Sequence, residues 1–182
     1  MKNFTELALL RQSVRKYSVK LVERNKIDEI IEASRIAPSA SNSQPWKIII
    51  VDDPKIKNEV AEATFNKTVS FNKFTSMAPA LAVIVIEKPR LITQIGGLLK
   101  NREFPLIDIG IVAEHFCLKA TELGLGTCMM GWFDEKRIKS LLDIPISKRI
   151  GLVISLGYPS KDYPLRSKQR KDTAVMSSYN KY

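Results

Sequence analysis

Two basic clusters near the ends of the chain carry the side chains best suited to binding an anion. The first reads R-Q-S-V-R-K from Arg11, and the second reads R-S-K-Q-R-K from Arg166. Alternate side chains of an extended segment point to the same side, so Arg11, Ser13 and Arg15 are expected to converge on one ligand. The planar guanidinium of arginine donates two parallel hydrogen bonds to phosphate oxygens. The first cluster is therefore either a site for an anionic ligand or a solvated basic turn after a helix.

A polar stretch from Ala37 to Trp46, A-P-S-A-S-N-S-Q-P-W, is the second candidate site. It follows an apolar helical pattern and precedes the strand-like K-I-I-I-V. Three serines, one asparagine and one glutamine supply hydrogen-bonding groups within it. Taken alone, the stretch is either a binding loop or an ordinary capped helix end.

The chain offers almost no side chain suited to act as an acid, a base or a nucleophile. Its only histidine, His115, lies in an apolar helical pattern, and no G-x-S-x-G sequence accompanies it. The Gly124-Leu125-Gly126 segment follows a helix and enters a strand, so it is a helix stop rather than a dinucleotide-binding loop. Cys117 and Cys128 are expected to be buried thiols, and no spacing indicates a metal site. If the protein is an enzyme, its reactive atoms belong to a bound cofactor.

The composition fits one domain that spans residues 1–182. The formal net charge is +10, and 45 % of the 182 residues are hydrophobic. No apolar run approaches the roughly 20 residues that cross a bilayer, and the first residues lack a signal-peptide pattern. We therefore expect a cytoplasmic protein with no membrane partner. The charge suits an anionic partner, but the basic clusters lack the interleaved aromatics of a nucleic-acid surface, so no nucleic acid is expected.

Hydrophobic periodicity predicts helices and about four strands. The predicted helices are Glu6–Leu10, Val22–Ala37, one that begins at Asp53-Pro54, Leu106–Leu123 and Asp134–Leu142. The predicted strands are Lys47–Val51, Ala80–Ile86, Gly126–Met130 and Arg149–Leu156. Ala80–Ile86 is almost entirely apolar, so both of its faces are expected to be buried. Glu87–Pro105 is expected to be an irregular excursion or mobile lid. The predicted fold class is α+β, with a central mixed or antiparallel sheet flanked by helices around the hydrophobic helix Leu106–Leu123.

Taken in order, these segments resemble the nitroreductase family of FMN-dependent oxidoreductases. R-Q-S-V-R-K-Y is similar to the family's R-R-S-x-R-x-[FY] motif, and P-S-A-S-N-S-Q-P-W is similar to its polar loop. T-C-M-M-G-W-F, the closing L-G-Y-P and a late K-x-R follow in the expected order, so the resemblance covers essentially the whole chain. It implies the nitroreductase fold, bound FMN and an obligate homodimer in which each polar loop covers the partner's flavin.

The resemblance also implies roles for individual residues. Those expected at the FMN phosphate are Arg11, Ser13, Lys168 and Arg170. Gln12 is included with them, although arginine is frequent at that position in the family. Those expected at the flavin edge, pyrimidine end or ribityl chain are Arg15, Pro38, Ser39, Asn42 and Asn72. Met130 and Gly131 are expected to offer backbone N–H groups to flavin N5 and O4, with Cys128 and Met129 packed beneath the ring. An acidic residue is frequent in the family where Met130 stands. No side chain is expected to be catalytic, because flavin N5 does the chemistry.

The implied reaction takes hydride from NADH or NADPH onto FMN and passes it to a nitroaromatic, a quinone or a similar electron-poor acceptor. One site used twice predicts ping-pong kinetics. Three alternatives stay open at this point: a flavin carrier or redox partner without turnover, a specialised dehydrogenase or oxidase of the same family, and a small basic nucleic-acid-binding domain. Only the last is expected to be colourless.

Overall fold

The computed structural model describes residues 3–68 and 70–182. Its helices are α1 (Phe4–Leu10), α2 (Arg24–Arg35), α3 (Pro54–Glu62), α4 (Leu91–Lys100), α5 (Phe104–Glu122), α6 (Glu135–Leu141) and α7 (Thr173–Met176). Its strands are β1 (Trp46–Val51), β2 (Ala80–Ile86), β3 (Gly126–Met130) and β4 (Arg149–Gly157). Short 3-10 turns occupy Ala40–Asn42 and Lys73–Met77. Within the described ranges, no helix is both long enough and apolar enough to traverse a bilayer.

The four strands form one antiparallel sheet in the order β1-β2-β4-β3. Strand β2 lies inside the sheet, paired to β1 through Ile48 and Ile84 and to β4 through Val83 and Val153. Alternate β2 side chains enter two different hydrophobic clusters, one on each face of the sheet. Both faces of β2 are therefore covered, and the prediction of a doubly buried strand is confirmed, as is the α+β class.

Helix α5 supplies the core on one face of the sheet. Val112, Ala113 and Phe116 are completely buried there, and α2 packs alongside through Ile27 and Ile30. Fully burying a valine, isoleucine or phenylalanine side chain stabilises the fold by about 1.5–3 kcal/mol. The other face is covered by α3, α6 and the second 3-10 turn. The predicted hydrophobic helix is confirmed, with its start two residues earlier than expected.

Helix ends follow local signals that are visible in the sequence. Asp53 accepts hydrogen bonds from the N–H groups of Lys55 and Ile56, and Pro54 occupies the first helical position. Gly124 ends α5 with a φ of 77°, which suits a residue without Cβ. Caps depend on neighbouring residues only, so their prediction needs no tertiary information.

The expectation of an irregular segment at Glu87–Pro105 is wrong, because α4 occupies its middle. Helix α4 has the opposite burial pattern to an ordinary amphipathic helix. Its polar Thr93 is buried, whereas Leu98 is 85 % exposed and four other large apolar side chains also face outward. The Gly96-Gly97 pair lowers helix propensity further. The helix ends on Asn101, whose φ is 49°. Neither the apolar pattern nor the propensity therefore indicated a core-facing helix.

The first basic cluster lies along the outer edge of β3. Ser13 and Thr127 form a parallel bridge, and the Val14 N–H donates to the Thr127 carbonyl oxygen at 2.8 Å. We call residues 11–15 the edge segment. A Cβ on Gly126 would lie 2.5 Å from Val14 Cγ2, so only glycine lets the edge segment approach this closely.

We predict that Gly126→Ala destabilises the fold by about 1–3 kcal/mol, because the new methyl group collides with Val14. Denaturant unfolding of the variant measures the change. In the double variant with Val14→Ala, part of the loss is recovered, since the smaller side chain makes room. Strictly additive effects of the two substitutions would contradict the proposed collision.

Candidate functional site

The chain terminus after β4 folds back onto the edge segment. The Gln12 side chain donates to the Pro164 carbonyl at 3.1 Å and accepts from the Arg166 N–H at 3.2 Å. The Tyr163 hydroxyl accepts from the Arg15 N–H and donates to the Ser13 carbonyl, both at 3.1 Å. The two segments therefore form the facing walls of one cleft.

This basic cleft has a volume of about 670 Å³. Its lining residues are Arg11, Gln12, Ser13, Arg15, Arg166, Ser167, Lys168, Gln169 and Arg170. Among the described residues, no carboxylate lines it, and the nearest acid to Arg11 is Glu114, whose Oε1 lies 3.4 Å from the Arg11 Nε. Guanidinium, ammonium and hydroxyl donors without a competing carboxylate suit a phosphate group.

Lys168 lies against the wall of the cleft, and its Nζ donates to the Arg11 carbonyl. Burial lowers the pKa of Lys168 below the usual 10.5, and the neighbouring charges of Arg11 and Arg170 lower it further. A bound anion offsets this repulsion, so the protonated lysine is the form that favours an anionic ligand.

The structure brings together five of the predicted phosphate and ribityl residues, namely Arg11, Ser13, Arg15, Lys168 and Arg170. Gln12 lines the same cleft, but both ends of its amide are hydrogen-bonded to the terminal segment, so it holds the wall. Arg166, Ser167 and Gln169 also line the cleft and were not predicted, and neither was Tyr163. Arg166 donates to the Ser13 carbonyl at 2.5 Å, and Tyr163 joins the walls. Arg166 opens the second basic cluster, which was a usable signal for it.

Asn72, Met130 and Gly131 are also predicted site residues, and they lie outside the lining of the cleft. The Arg15 guanidinium lies over the Phe74 ring, 5.9 Å from its centroid. Two residues earlier, buried Asn72 donates to the Trp132 carbonyl at 3.2 Å and to the Thr64 carbonyl at 3.1 Å. A Cβ on Gly131 would meet no atom within 4 Å, so the backbone there is open to a ligand. Across the described residues, the only pairing on the outer edge of β3 is at Thr127.

Cys128 and Met129 do not form one surface, which corrects their expected shared position beneath a ring. They alternate along β3, so Cys128 belongs to the cluster on one sheet face and Met129 packs against the cluster on the other. Met130 lies on the Cys128 side and is buried. Burial raises the pKa of the Cys128 thiol, although Arg15 and the Ser13 hydroxyl oppose the shift.

Cys117 and His115 have structural surroundings, as the sequence indicated. Both cysteines are buried and unpaired, and burial raises the pKa of Cys117 to about 12. The His115 Nδ1 lies 2.9 Å from the Ile111 carbonyl, one helical turn away in α5.

The polar loop, residues 38–44, lies away from the basic cleft of its own chain. It contacts α5 where the Ala40 N–H donates to Asp108 Oδ1, and it contacts α4 through Thr93. The cleft meets α5 at Glu114, about 9 Å further along the axis and on another side of the helix. Pro38, Ser39 and Asn42 therefore do not join the other predicted residues within one chain.

Comparison with known proteins places these features in a family context. The nitroreductase family model matches residues 8–158. A solved nitroreductase family protein from Clostridium novyi NT is 32 % identical with a TM-score of 0.77, and the match covers 88 % of this chain and 87 % of that one. An NADH dehydrogenase of Thermus thermophilus is 28 % identical, with 86 % of this chain and 87 % of the relative covered. An oxygen-insensitive NADPH nitroreductase of Helicobacter acinonychis is 25 % identical, with 82 % and 84 % covered.

We predict that Lys168→Met weakens FMN binding about tenfold, because one charge-assisted hydrogen bond to phosphate is lost. Riboflavin, which lacks the phosphate, is the control ligand, and its affinity should be unchanged. Fluorescence titration measures both dissociation constants. Equal losses for the two ligands would contradict a phosphate contact.

The same contact predicts a pH dependence. The charge of Lys168 is fully present below its lowered pKa and is lost as pH rises through that value, so FMN affinity should fall at a pH below the usual lysine pKa of 10.5. Lys168→Arg keeps its charge in this range and should flatten the profile. An identical decline in the arginine variant would assign the pH effect to another group.

Proposed function

Because the chain belongs to the nitroreductase family, we propose that it is an FMN-dependent oxidoreductase. NADH or NADPH is the electron donor, and a nitroaromatic, a quinone or a similar electron-poor compound is the acceptor. The observation that carries the proposal is a cleft in which five cationic side chains and Ser13 come together. The cleft suits the phosphate end of FMN, and the open backbone at Gly131 suits a hydrogen-bonding ring.

The chain's own residues suit FMN part by part. Arg11, Ser13, Lys168 and Arg170 hold the phosphate in the cleft, with Arg166 as a further donor. Arg15 lines the same cleft and lies over Phe74, and we assign it to the ribityl chain and the adjoining part of the ring. The backbone at Met130 and Gly131 is proposed to bind N5 and O4 of the ring, and Asn72 holds the neighbouring turn through the Trp132 carbonyl.

When bound, FMN supplies the atom that accepts hydride and later releases electrons to the acceptor. The protein contributes fixed charge and position. The Arg15 guanidinium, steadied over Phe74, favours negative charge that develops beside it. Donor and acceptor occupy the same open face in turn, which gives ping-pong kinetics. The carrier without turnover is the competing function, and steady-state oxidation of NADH or NADPH separates the two.

A homodimer with shared sites explains the position of the polar loop. Within one chain the loop lies away from the basic cleft, so the Pro38, Ser39 and Asn42 contacts to flavin come from a second copy. Exposed apolar side chains support this dimer, because Leu98 of α4 and Leu106 of α5 line one groove, and Ile107 next to Leu106 is also exposed. Burying so much exposed apolar surface favours association.

We predict that Arg15→Ala slows reduction of the flavin by NADH or NADPH and lowers its midpoint potential, because the positive charge beside the ring is lost. Anaerobic stopped-flow absorbance and redox titration measure the two quantities. Arg15→Lys restores the charge and should recover much of both. An unchanged potential in the alanine variant would remove this role from Arg15.

We predict that two inactive variants complement each other when mixed. One carries Arg11→Ala with Lys168→Met, and the other carries Ser39→Ala with Asn42→Ala. In a symmetric dimer with shared sites, each mixed dimer has one intact site, so unfolding and refolding an equimolar mixture restores about a quarter of the sites. Each variant refolded alone is the control. No recovery in the mixture would show that each site lies within one chain.

A further inference from the structure

The polar loop keeps a backbone shape that its residues do not favour. Ser41, Asn42 and Gln44 have φ values of 51°, 50° and 48°. Positive φ is disfavoured for residues with a Cβ, and none of the three is glycine. Such backbone persists only where the surroundings impose it. The loop makes hydrogen bonds of its own, such as that from the Gln44 N–H to Ser39 Oγ, and further hydrogen bonds reach it from α4 and α5.

Thr93 holds the loop from α4. It is the buried residue of that helix, only 4 % exposed, and its Oγ1 lies 2.7 Å from Ser43 Oγ and 3.3 Å from the Ala40 carbonyl. The carbonyl can only accept, so the Thr93 hydroxyl donates to it and the Ser43 hydroxyl donates to Thr93. The Arg90 N–H in turn donates to Ser43 Oγ at 3.3 Å. The beginning of α4 is thereby fastened to the loop.

Asp108 holds the same residue of the loop from α5. Its side chain is 2 % exposed, and its Oδ1 accepts from the Ala40 N–H at 3.0 Å. Within residues 3–68 and 70–182, its Oδ2 has no hydrogen-bond partner. A buried carboxylate with a single donor is energetically costly, so it needs an explanation beyond stability. Both polar backbone groups of Ala40 are thus held, the N–H by Asp108 and the C=O by the Thr93 hydroxyl together with the Ser43 N–H.

We propose that Thr93 and Asp108 are positioning residues, which hold residues 38–44, with Ser41, Asn42 and Gln44 left-handed, in the shape that the loop needs in order to contact flavin. The inference rests on the proposed function, because it assigns the loop to the flavin site. Thr93 also connects α4 to that site. The Thr93 contact therefore fixes the position of the apolar side chains of α4 relative to the polar loop. Apart from Thr93, α4 contributes almost nothing to the core of its own chain.

Thr93→Val tests the inference, since valine keeps the shape of threonine and removes the hydroxyl. In the protein without flavin, hydrogen exchange at the Ala40 and Gln44 amides should become about tenfold faster. The dissociation constant of FMN should rise about tenfold, while inorganic phosphate, which probes the basic cleft alone, binds unchanged. Thr93→Ser restores the hydroxyl and should return both values toward those of the wild type.

Two further variants keep the test decisive if Thr93→Val does not fold. Ser43→Ala removes a half-buried hydroxyl from the loop side of the same contact and should produce the same two changes. Asp108→Ala should also give faster exchange and weaker FMN binding, because the Ala40 N–H loses its acceptor. Asp108→Asn keeps an acceptor and should give neither change. In a Ser41→Gly background the Thr93→Val effect should shrink, because glycine adopts a positive φ without strain.

The outcomes separate the two proposals. A wild-type protein that binds no FMN would overturn the proposed function, and this inference with it. FMN binding by the wild type, together with unchanged exchange or unchanged FMN affinity in both Thr93→Val and Ser43→Ala, would overturn only the inference. Faster exchange and weaker FMN binding, with rescue by Thr93→Ser, would support it.

Discussion

The pairing of the edge segment with β3 is the contact on which the candidate site depends. One backbone hydrogen bond, from Val14 N–H to the Thr127 carbonyl, fixes the register of Arg11, Ser13 and Arg15 against the sheet. The packing of Val14 against Gly126 then sets their distance from it. The terminal segment has no regular structure between Tyr163 and Arg170, and it takes its shape from bonds to the edge segment. The sheet edge therefore positions the first wall of the cleft, and the first wall positions the second.

Positive charge is concentrated in the basic cleft, where Arg11 alone among the lining residues forms a described ion pair. Five cationic side chains line the cleft without a carboxylate among them. Elsewhere, many cations are paired on the surface, as Arg35 is with Glu32 and Arg137 with Glu62. Exposed pairs of this kind contribute little to stability. The net charge of +10 is thus informative at the cleft, where like charges are held together at a cost that an anionic ligand offsets.

Local sequence signals predicted most of the fold, and their failures have physical causes. The doubly buried strand, the long helix and the Asp53 cap follow from hydrophobicity and from interactions between chain neighbours. Helix α4 was not predicted, because its apolar side chains point away from the core of its own chain. In the site, alternation along an extended segment predicted the convergence of Arg11, Ser13 and Arg15. Contacts between distant parts of the chain were not readable from spacing. They include the hydrogen bonds of Gln12 to the terminal segment and the hydrogen bond from the Ala40 N–H to Asp108.

The two walls of the basic cleft come from opposite ends of the polypeptide, since Arg11 and Lys168 are 157 positions apart. Synthesis proceeds from the first wall to the second, so all four strands of the sheet are made before the phosphate pocket is complete. Cofactor capture consequently follows synthesis of the sheet. Chains cut short before Lys168 keep every strand of the sheet yet have an incomplete pocket, so flavin uptake would distinguish finished molecules from unfinished ones.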